Sequence, residues 1–350
     1  MIKRTKMVNV VAQSGGVTPT GTINISENDT YDVTNYASAV VNVPETDLTQ
    51  TLGLLSTMED KFDVYDAELM VSANPDENVT YTALSNLNGY TTSELNALAK
   101  KISNASTITY QTETIYLSTG YSISVGCTRN FNMNNVAKEY GIIGFNFDTL
   151  TSSTAYGEET TSGKAGITWQ MTSIPTDMPY VMNDTQTTEG GWAACKFRNT
   201  YLPTVLAMFD ADDSATFKQV EKICIKDGNA MADTEKHNVT DTLFIISASE
   251  LLSDNALDGS TVSGWYRAQD GSAQNMITYD YEGSNYAYYN DVNNLTALKN
   301  LTSTTNRVVT RTPVTSSPTG SSAGRWLQIA GGYSAVKSQD AYFHLICFCI

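Results

Sequence analysis

Thr242-Leu243-Phe244-Ile245-Ile246-Ser247 runs straight into Ala248-Ser249-Glu250. The first six residues are short enough for a strand and apolar enough to be buried on both faces. Ser247 stands three residues before Glu250, the spacing of a capping box, so a short helix opens where the strand ends. The surrounding chain has the same mixture, and the fold expected is α+β.

On the N-terminal side, Thr114-Ile-Tyr-Leu117, Tyr121-Ser-Ile-Ser-Val125 and Ile108-Thr-Tyr110 read as strands by alternation and β-branched content, as does Thr216 to Ile225. A helix is predicted around Cys195 to Phe209, with Pro203 able to split it. Another is predicted over about 92 to 104. There Thr91 and Glu94 form a capping box, and Leu95, Leu98, Ala99 and Ile102 recur at helical spacing. Leu48, Leu52, Leu55, Met58 and Phe62 suggest a further helix whose apolar seam could pack against a neighbour or in trimeric register, and Ser72 to Asn78 reads as a loop. Between Gly21 and Pro44, Ile23, Ile25, Tyr31, Val33, Val41 and Val43 alternate with polar residues around an Asn28-Asp29 turn, which makes a small β module. The expected organisation is therefore a β module over 1–46, a helical connector over 47–106 and a main domain over 107–350.

Composition excludes several functions. The chain has 350 residues and a net charge of −16, which opposes binding to nucleic acid or to an anionic membrane surface. Only 17% of residues are charged, while 20 are Tyr, so the polarity is largely uncharged. No apolar run approaches the roughly 18 residues of a membrane span, and membrane insertion is not expected. The start of the chain lacks a secretory apolar core, so synthesis in the cytosol is expected. The five cysteines are odd in number and scattered, so reduced and mostly buried thiols are expected rather than a disulfide framework.

Catalytic chemistry finds little foothold. His237 and His344 are the two histidines, and neither lies in a zinc or nucleophile motif. Asp210-Ala-Asp212-Asp213 lacks the Gly and the distant Glu of a calcium loop and reads as a solvated turn. Carboxylate pairs for glycoside hydrolysis have no spacing that singles one out. No catalytic residue, cofactor or metal ligand is assigned, and the protein is not expected to be an enzyme.

Two stretches carry resemblances. Gly21 to Val43 resembles a short β segment of tail-associated phage proteins, with Asp29 where Gly is usual. Gly190-Gly191-Trp192, Phe197-Arg198, Thr242-Leu-Phe-Ile-Ile-Ser247, Glu250, Glu282-Gly283, Tyr286-Ala-Tyr288-Tyr289, Thr310-Arg-Thr-Pro313 and Phe348-Cys349-Ile350 occur in the order seen in an uncharacterised C-terminal domain family of gut bacteria and their phages. Val309 and Thr312 stand where that family has Trp and Ser. The family resembles the C-type-lectin-like fold shared by formylglycine-generating enzymes and by phage variable proteins diversified by retroelements.

The resemblance implies a C-type-lectin-like domain whose last residues display exchangeable side chains on a rigid scaffold. Trp326 and Ile329 are placed inward. Arg325, Gln328, Tyr333, Lys337, Gln339, Asp340, Tyr342 and His344 are placed on the displayed, ligand-binding face, with Val314 and Ser316 on the preceding loop. Tyr279, Tyr281, Tyr286, Tyr288 and Tyr289 have the chemistry of a contact surface, but the last three lie in the family motif and read as structural. The implied function is receptor binding at a phage tail tip or fibre, carried in the virion, with a host cell-surface protein or glycan, other tail proteins and further copies of the chain, a trimer among the options, as partners. The rival readings are a bacterial surface adhesin, a tail-borne glycan hydrolase and a cysteine–copper oxidase of the formylglycine type using Cys347 and Cys349, whose spacing is shorter than in those enzymes.

Overall fold

The computed structural model describes residues 69–225, 236–251, 282–302, 306–313, 324–329 and 333–350. The chain divides into two units, Met1–Lys61 and Phe62–Ile350, and every element below belongs to the second. The β module over Gly21 to Pro44, the Leu48 to Phe62 seam, Tyr279 and Tyr281 lie outside the described residues.

The largest sheet contains β1 (Val71–Ser72), β2 (Thr82–Asn86), β3 (Thr114–Leu117), β4 (Tyr121–Met133), β5 (Val136–Phe145), β7 (Ile167–Met171), β11 (Leu243–Phe244) and β16 (Cys347–Cys349). Its order is β1-β3-β4-β5-β7-β16-β11, and β2 runs parallel to β4. β4 and β5 form a hairpin whose turn residues Asn134 and Asn135 both have positive φ, the backbone that matches strand twist in a two-residue turn and that Asn tolerates well. β16 is inserted between β7 and β11, so the chain terminus is a core element. Ile350 exchanges backbone hydrogen bonds with Ile167 in both directions.

Smaller sheets surround it. β6 (Thr149–Leu150), β9 (Val220–Ile225) and β10 (Lys236–Asp241) form one. β12 (Val308–Pro313), β13 (Arg325–Ile329) and β14 (Tyr333–Lys337) form a second, and β8 (Tyr180–Val181) pairs with β15 (Ala341–Tyr342). Mainly antiparallel sheets with few helices make the fold α+β.

The helix Thr92–Asn104 forms where its cap predicts. The Thr91 amide donates to Glu94 Oε2 at 2.6 Å, and the Glu94 amide returns a bond to Thr91 Oγ1 at 3.2 Å. Leu95, Leu98, Ala99 and Ile102 are buried in the same core as the large sheet, and Gly166 passes so close that a Cβ there would lie 2.0 Å from the Ala99 carbonyl oxygen. This helix is thus core of the main unit, whereas its sequence placed it in the connector ending at 106. β1 and β2 likewise pair with β3 and β4.

Other expectations shift for local reasons. Ile108-Thr-Tyr110 is a turn, held by an Ile108 N–H bond to Ala105 O and a Thr112 N–H bond to Thr109 O. The expected split at Pro203 does not occur: the helical stretch is continuous through Tyr201 and Leu202, with Phe197–Tyr201 π-helical and Leu202–Leu206 α-helical, and Pro203 sits in the first turn of the latter, where its missing N–H is tolerated. Only Leu243–Phe244 of the apolar run is strand, but Leu243 to Leu251 is buried throughout, and Ser247 with Glu250 caps Ala248–Leu251 in both directions. Trp169, Trp192 and Trp326 are fully buried, and Phe131, Tyr140, Phe209, Phe217 and Phe348 pack edge-on, tilted or stacked against one another.

Candidate functional site

The C-terminal face is assembled from β13, β14 and β15. Val336 and Ser338 point inward, while Lys337, Gln339 and Asp340 are exposed and Tyr342 and Arg325 are half-buried. The anchoring beneath is specific. Ser338 donates its hydroxyl to Thr185 O at 2.8 Å, accepts the Thr187 amide at 2.9 Å, and gives its carbonyl to the Asn183 amide. Gly324 has φ +66°, and a Cβ there would meet the Gln186 carbonyl carbon at 2.2 Å, so glycine alone fits where this edge meets that loop.

Trp326 and Ile329 are buried, as expected. Two displayed-face placements are corrected. Gln328 is only 3% exposed, because it lies two residues on from Trp326, on the same buried face of β13, and Leu327 and Ile329 on the opposite face are buried too. His344 is 1% exposed. Its ring stacks on Phe197 at 3.8 Å and Nε2–H donates to Tyr180 O at 3.2 Å, and burial lowers its pKa to about 4. It follows the last surface residues of β15 and already belongs to the segment that enters the core. Val314 and Ser316 lie outside the described residues, as does the side chain of Tyr333.

Residues that sequence reasoning did not place on this face join it through pairing. Tyr342 stands opposite Tyr180, Tyr180 stacks on Tyr201 at 4.5 Å, and Lys196 lies 5.3 Å above the Tyr201 ring while pairing with Asp184 at 2.6 Å. The Tyr342 hydroxyl donates to Asp340 Oδ2 at 3.1 Å. The Tyr-rich stretch 286–289 is structural instead: Tyr286 and Tyr289 are buried.

A second constellation lies inside the fold. Lys222 on β9 is 2.6 Å from Asp148 Oδ1 and 2.6 Å from Glu250 Oε1, and its ammonium also donates to Tyr286 OH at 3.0 Å. Arg311 on β12 donates in a fork to Glu250 at 2.9 and 3.0 Å and to the Glu282 carbonyl at 3.0 Å. Thr168 donates to Asp148 Oδ2 at 2.6 Å, and Thr312 bonds to Glu282. All four ion-pair members are almost fully buried. Burial alone would raise the Asp148 pKa, but the adjoining Lys222 ammonium prevails and holds it below the usual carboxylate range. Burial likewise opposes the charged forms of Lys222 and Arg311, and their carboxylate partners outweigh it, so both pKa values rise. For Glu282 burial dominates, and its pKa rises to about 7 despite Arg311 and Thr312.

Glu250, Glu282 and Arg311 stand in the ordered motifs, but Arg311 meets Glu250 from 61 positions away and Lys222 meets Asp148 from 74, and no spacing in the sequence announces either pair. The signal present was one Glu, one Glu-Gly and one Thr-Arg step.

Cys349 Sγ donates to Asp148 Oδ2 at 3.3 Å, and Cys347 Sγ faces the Leu345 carbonyl at 3.6 Å. Both thiols are fully buried, and burial pushes both pKa values far up, which disfavours the thiolate that copper ligation needs. All five cysteines are buried and free. Among the described residues no group of three His, Cys, Asp or Glu side chains is arranged to hold a metal ion, and no helix is long and apolar enough to cross a membrane.

Above the ion network lies a cleft of about 380 Å³, lined among others by Tyr110, Asn146, Phe147, Glu221, Lys222 and Glu282. Comparison of the chain with protein-family models, with curated proteins and with solved structures gave no match.

Proposed function

We propose that this chain is a receptor-binding protein of a phage tail tip or tail fibre, whose C-terminal domain has a C-type-lectin-like fold and recognises a host cell-surface protein or glycan. The observation that carries the reading is the edge Lys337–Tyr342. Exposed Lys337, Gln339 and Asp340 and half-buried Tyr342 sit on a strand end pinned by Val336 and Ser338, so the outward side chains can be exchanged without disturbing what holds them. Tyr342, Tyr180 and Tyr201 add broad amphipathic surface at low conformational cost. Several copies on one particle would turn weak single contacts into firm attachment.

The test is adhesion of the fluorescently labelled full chain to a panel of gut bacterial cells. The parent chain is expected to adhere to at least one strain. The combined variant Lys337→Ala, Gln339→Ala, Asp340→Ala is expected to lose that adhesion with an unchanged melting curve. Undiminished adhesion of the folded variant would reject the assignment of this face.

A further inference from the structure

Asp148 and Lys222 are brought face to face by the backbone. Asp148 directly precedes Thr149, which pairs with Glu221 across β6 and β9, and Lys222 directly follows Glu221, so the two stand opposite each other one position past the ladder. Residues opposed in this way have Cβ atoms roughly 4.5–5.5 Å apart. Lys222 Nζ then reaches to 2.6 Å from Asp148 Oδ1. Reacting atoms in a near-attack geometry are roughly 3–3.5 Å apart, and a nitrogen hydrogen-bonded to one carboxylate oxygen stands at about that distance from the carboxyl carbon.

Water is shut out of this pair. Both side chains are 2% exposed, and the ammonium lies 4.1 Å from the centre of the Phe244 ring and 5.4 Å from that of Tyr286. Burial of this kind penalises two charges far more than it penalises one amide, so it favours the condensed product over the ion pair.

The neighbouring groups divide into two sets. Asp148 Oδ2, the oxygen that Lys222 does not engage, accepts hydrogen bonds from Thr168 Oγ1 at 2.6 Å, Tyr286 OH at 3.0 Å and Cys349 Sγ at 3.3 Å. These are preorganised donors at the oxygen on which negative charge develops when a nucleophile adds to the carboxyl carbon. Glu250 Oε1 lies 2.6 Å from the Lys222 nitrogen, and the Arg311 fork and the Ser247 amide hold Glu250 as a carboxylate, so it serves as a base rather than as an electrophile.

We infer that Lys222 and Asp148 condense in the folded chain to an isopeptide bond between Nζ and Cγ, with Glu250 as the base. The ammonium passes one proton to Asp148 Oδ1 along the hydrogen bond they share, which leaves an amine and a carboxylic acid and does not change the charge of the pocket. The nitrogen lone pair adds to Cγ, and the charge that develops on Oδ2 meets the three donors. Glu250 takes a second proton from the nitrogen and returns it to the hydroxyl on Cγ, the C–O bond breaks, that hydroxyl leaves as water, and the Oδ2 carbonyl re-forms. One ammonium and one carboxylate are consumed, one amide and one water are produced, and no oxidant or cofactor is needed. Both charges vanish together and Glu250 keeps Arg311, so no charge is stranded. The bond joins positions 74 apart and closes that loop as a disulfide would, but it survives reducing conditions. It is separate from the Lys337–Tyr342 edge and independent of the receptor-binding reading.

Intact-mass spectrometry on the full chain, purified folded and then denatured, tests it. The parent chain is expected to be lighter than its sequence by one water, with trypsin unable to cut after Lys222 and the peptide containing Lys222 joined to the peptide containing Asp148. Lys222→Met and Asp148→Ala are each expected to show their full sequence mass. Thr168→Val keeps the side-chain shape and removes one donor from Oδ2, and is expected to slow the loss of water about a hundredfold, followed by mass after cell-free synthesis. Glu250→Gln is expected to slow it at least as much. A folded parent chain that keeps its full mass on prolonged incubation overturns the inference without reference to any variant. A loss of water that persists in Lys222→Met, or that leaves the two peptides unjoined, overturns it as well.

Discussion

The buried ion network and the Lys337–Tyr342 edge use polar residues in opposite ways. In the network, Asp148, Lys222, Glu250 and Arg311 have lost their water, and each depends on its partners at 2.6–3.0 Å to remain charged. At the edge, Lys337, Gln339 and Asp340 keep their water, and the hydrogen bond that Asp340 accepts from Tyr342 is exposed. The difference teaches where this protein can change. Inside, removing one charge strands another. Outside, a side chain can be exchanged at little cost, because Val336, Ser338 and Trp326 do the holding.

The comparison breaks most visibly at Arg311. Arg311→Met leaves Glu250 with Lys222 alone and should cost about 3–5 kcal/mol of stability, read by urea denaturation. The double variant Arg311→Met, Glu250→Leu removes charge in pairs and should recover part of that loss. An equal loss in both would mean that side-chain shape, rather than stranded charge, sets the cost.

A smaller but sign-determined effect comes from pH. Burial raises Glu282 from an ordinary 4.5 to about 7, so between these values the folded chain keeps a proton that the unfolded chain releases, and stability falls as pH rises. Burial lowers His344 from 6.5 to about 4, so over that interval the unfolded chain binds a proton that the folded chain refuses, and stability falls as pH falls. The two slopes oppose each other in the parent protein. Glu282→Gln should gain stability relative to the parent as pH rises from 4.5 to 7. His344→Asn should gain relative to the parent as pH falls from 6.5 to 4. Each change is on the order of 3 kcal/mol and is measured by melting across a pH series. Parallel curves for parent and variant would place the titrating group elsewhere.

The smallest effect sharpens the contrast from the other side. Lys337→Ala, Gln339→Ala and Asp340→Ala together should shift stability by less than about 0.5 kcal/mol, as exposed substitutions do. A larger loss would show that the edge helps to hold the fold.

The local elements were legible. The Thr91–Glu94 cap and the Ser247–Glu250 cap appear where the residues put them, because caps act on the chain next to them, whereas Pro203 falls in the first turn of Leu202–Leu206 and leaves the helical stretch continuous. Burial of Trp326 and Ile329 was readable from their apolar side chains, whereas Gln328 was assigned to solvent by its polarity although period two puts it on the face of Trp326, and both faces of β13 are covered. His344 was misplaced because a histidine beside Tyr342 reads as surface until the Phe197 ring is known to lie 3.8 Å away. Part of the edge was also hidden: Tyr180 and Tyr201 reach Tyr342 through strand pairing and stacking that no local pattern encodes.

The sequence by itself determined the α+β mixture, the helix caps, thiols that are mostly buried and a net charge of −16. Only the tertiary structure decided that Cys347–Cys349 is an inner strand of the largest sheet, between β7 and β11, that the helix Thr92–Asn104 belongs to the same core, and that Asp148, Lys222, Glu250 and Arg311 meet. The physical reason is range. Caps, turns and periodicity are settled by residues a few positions apart, whereas a buried charge depends on the partner that the whole fold delivers to it.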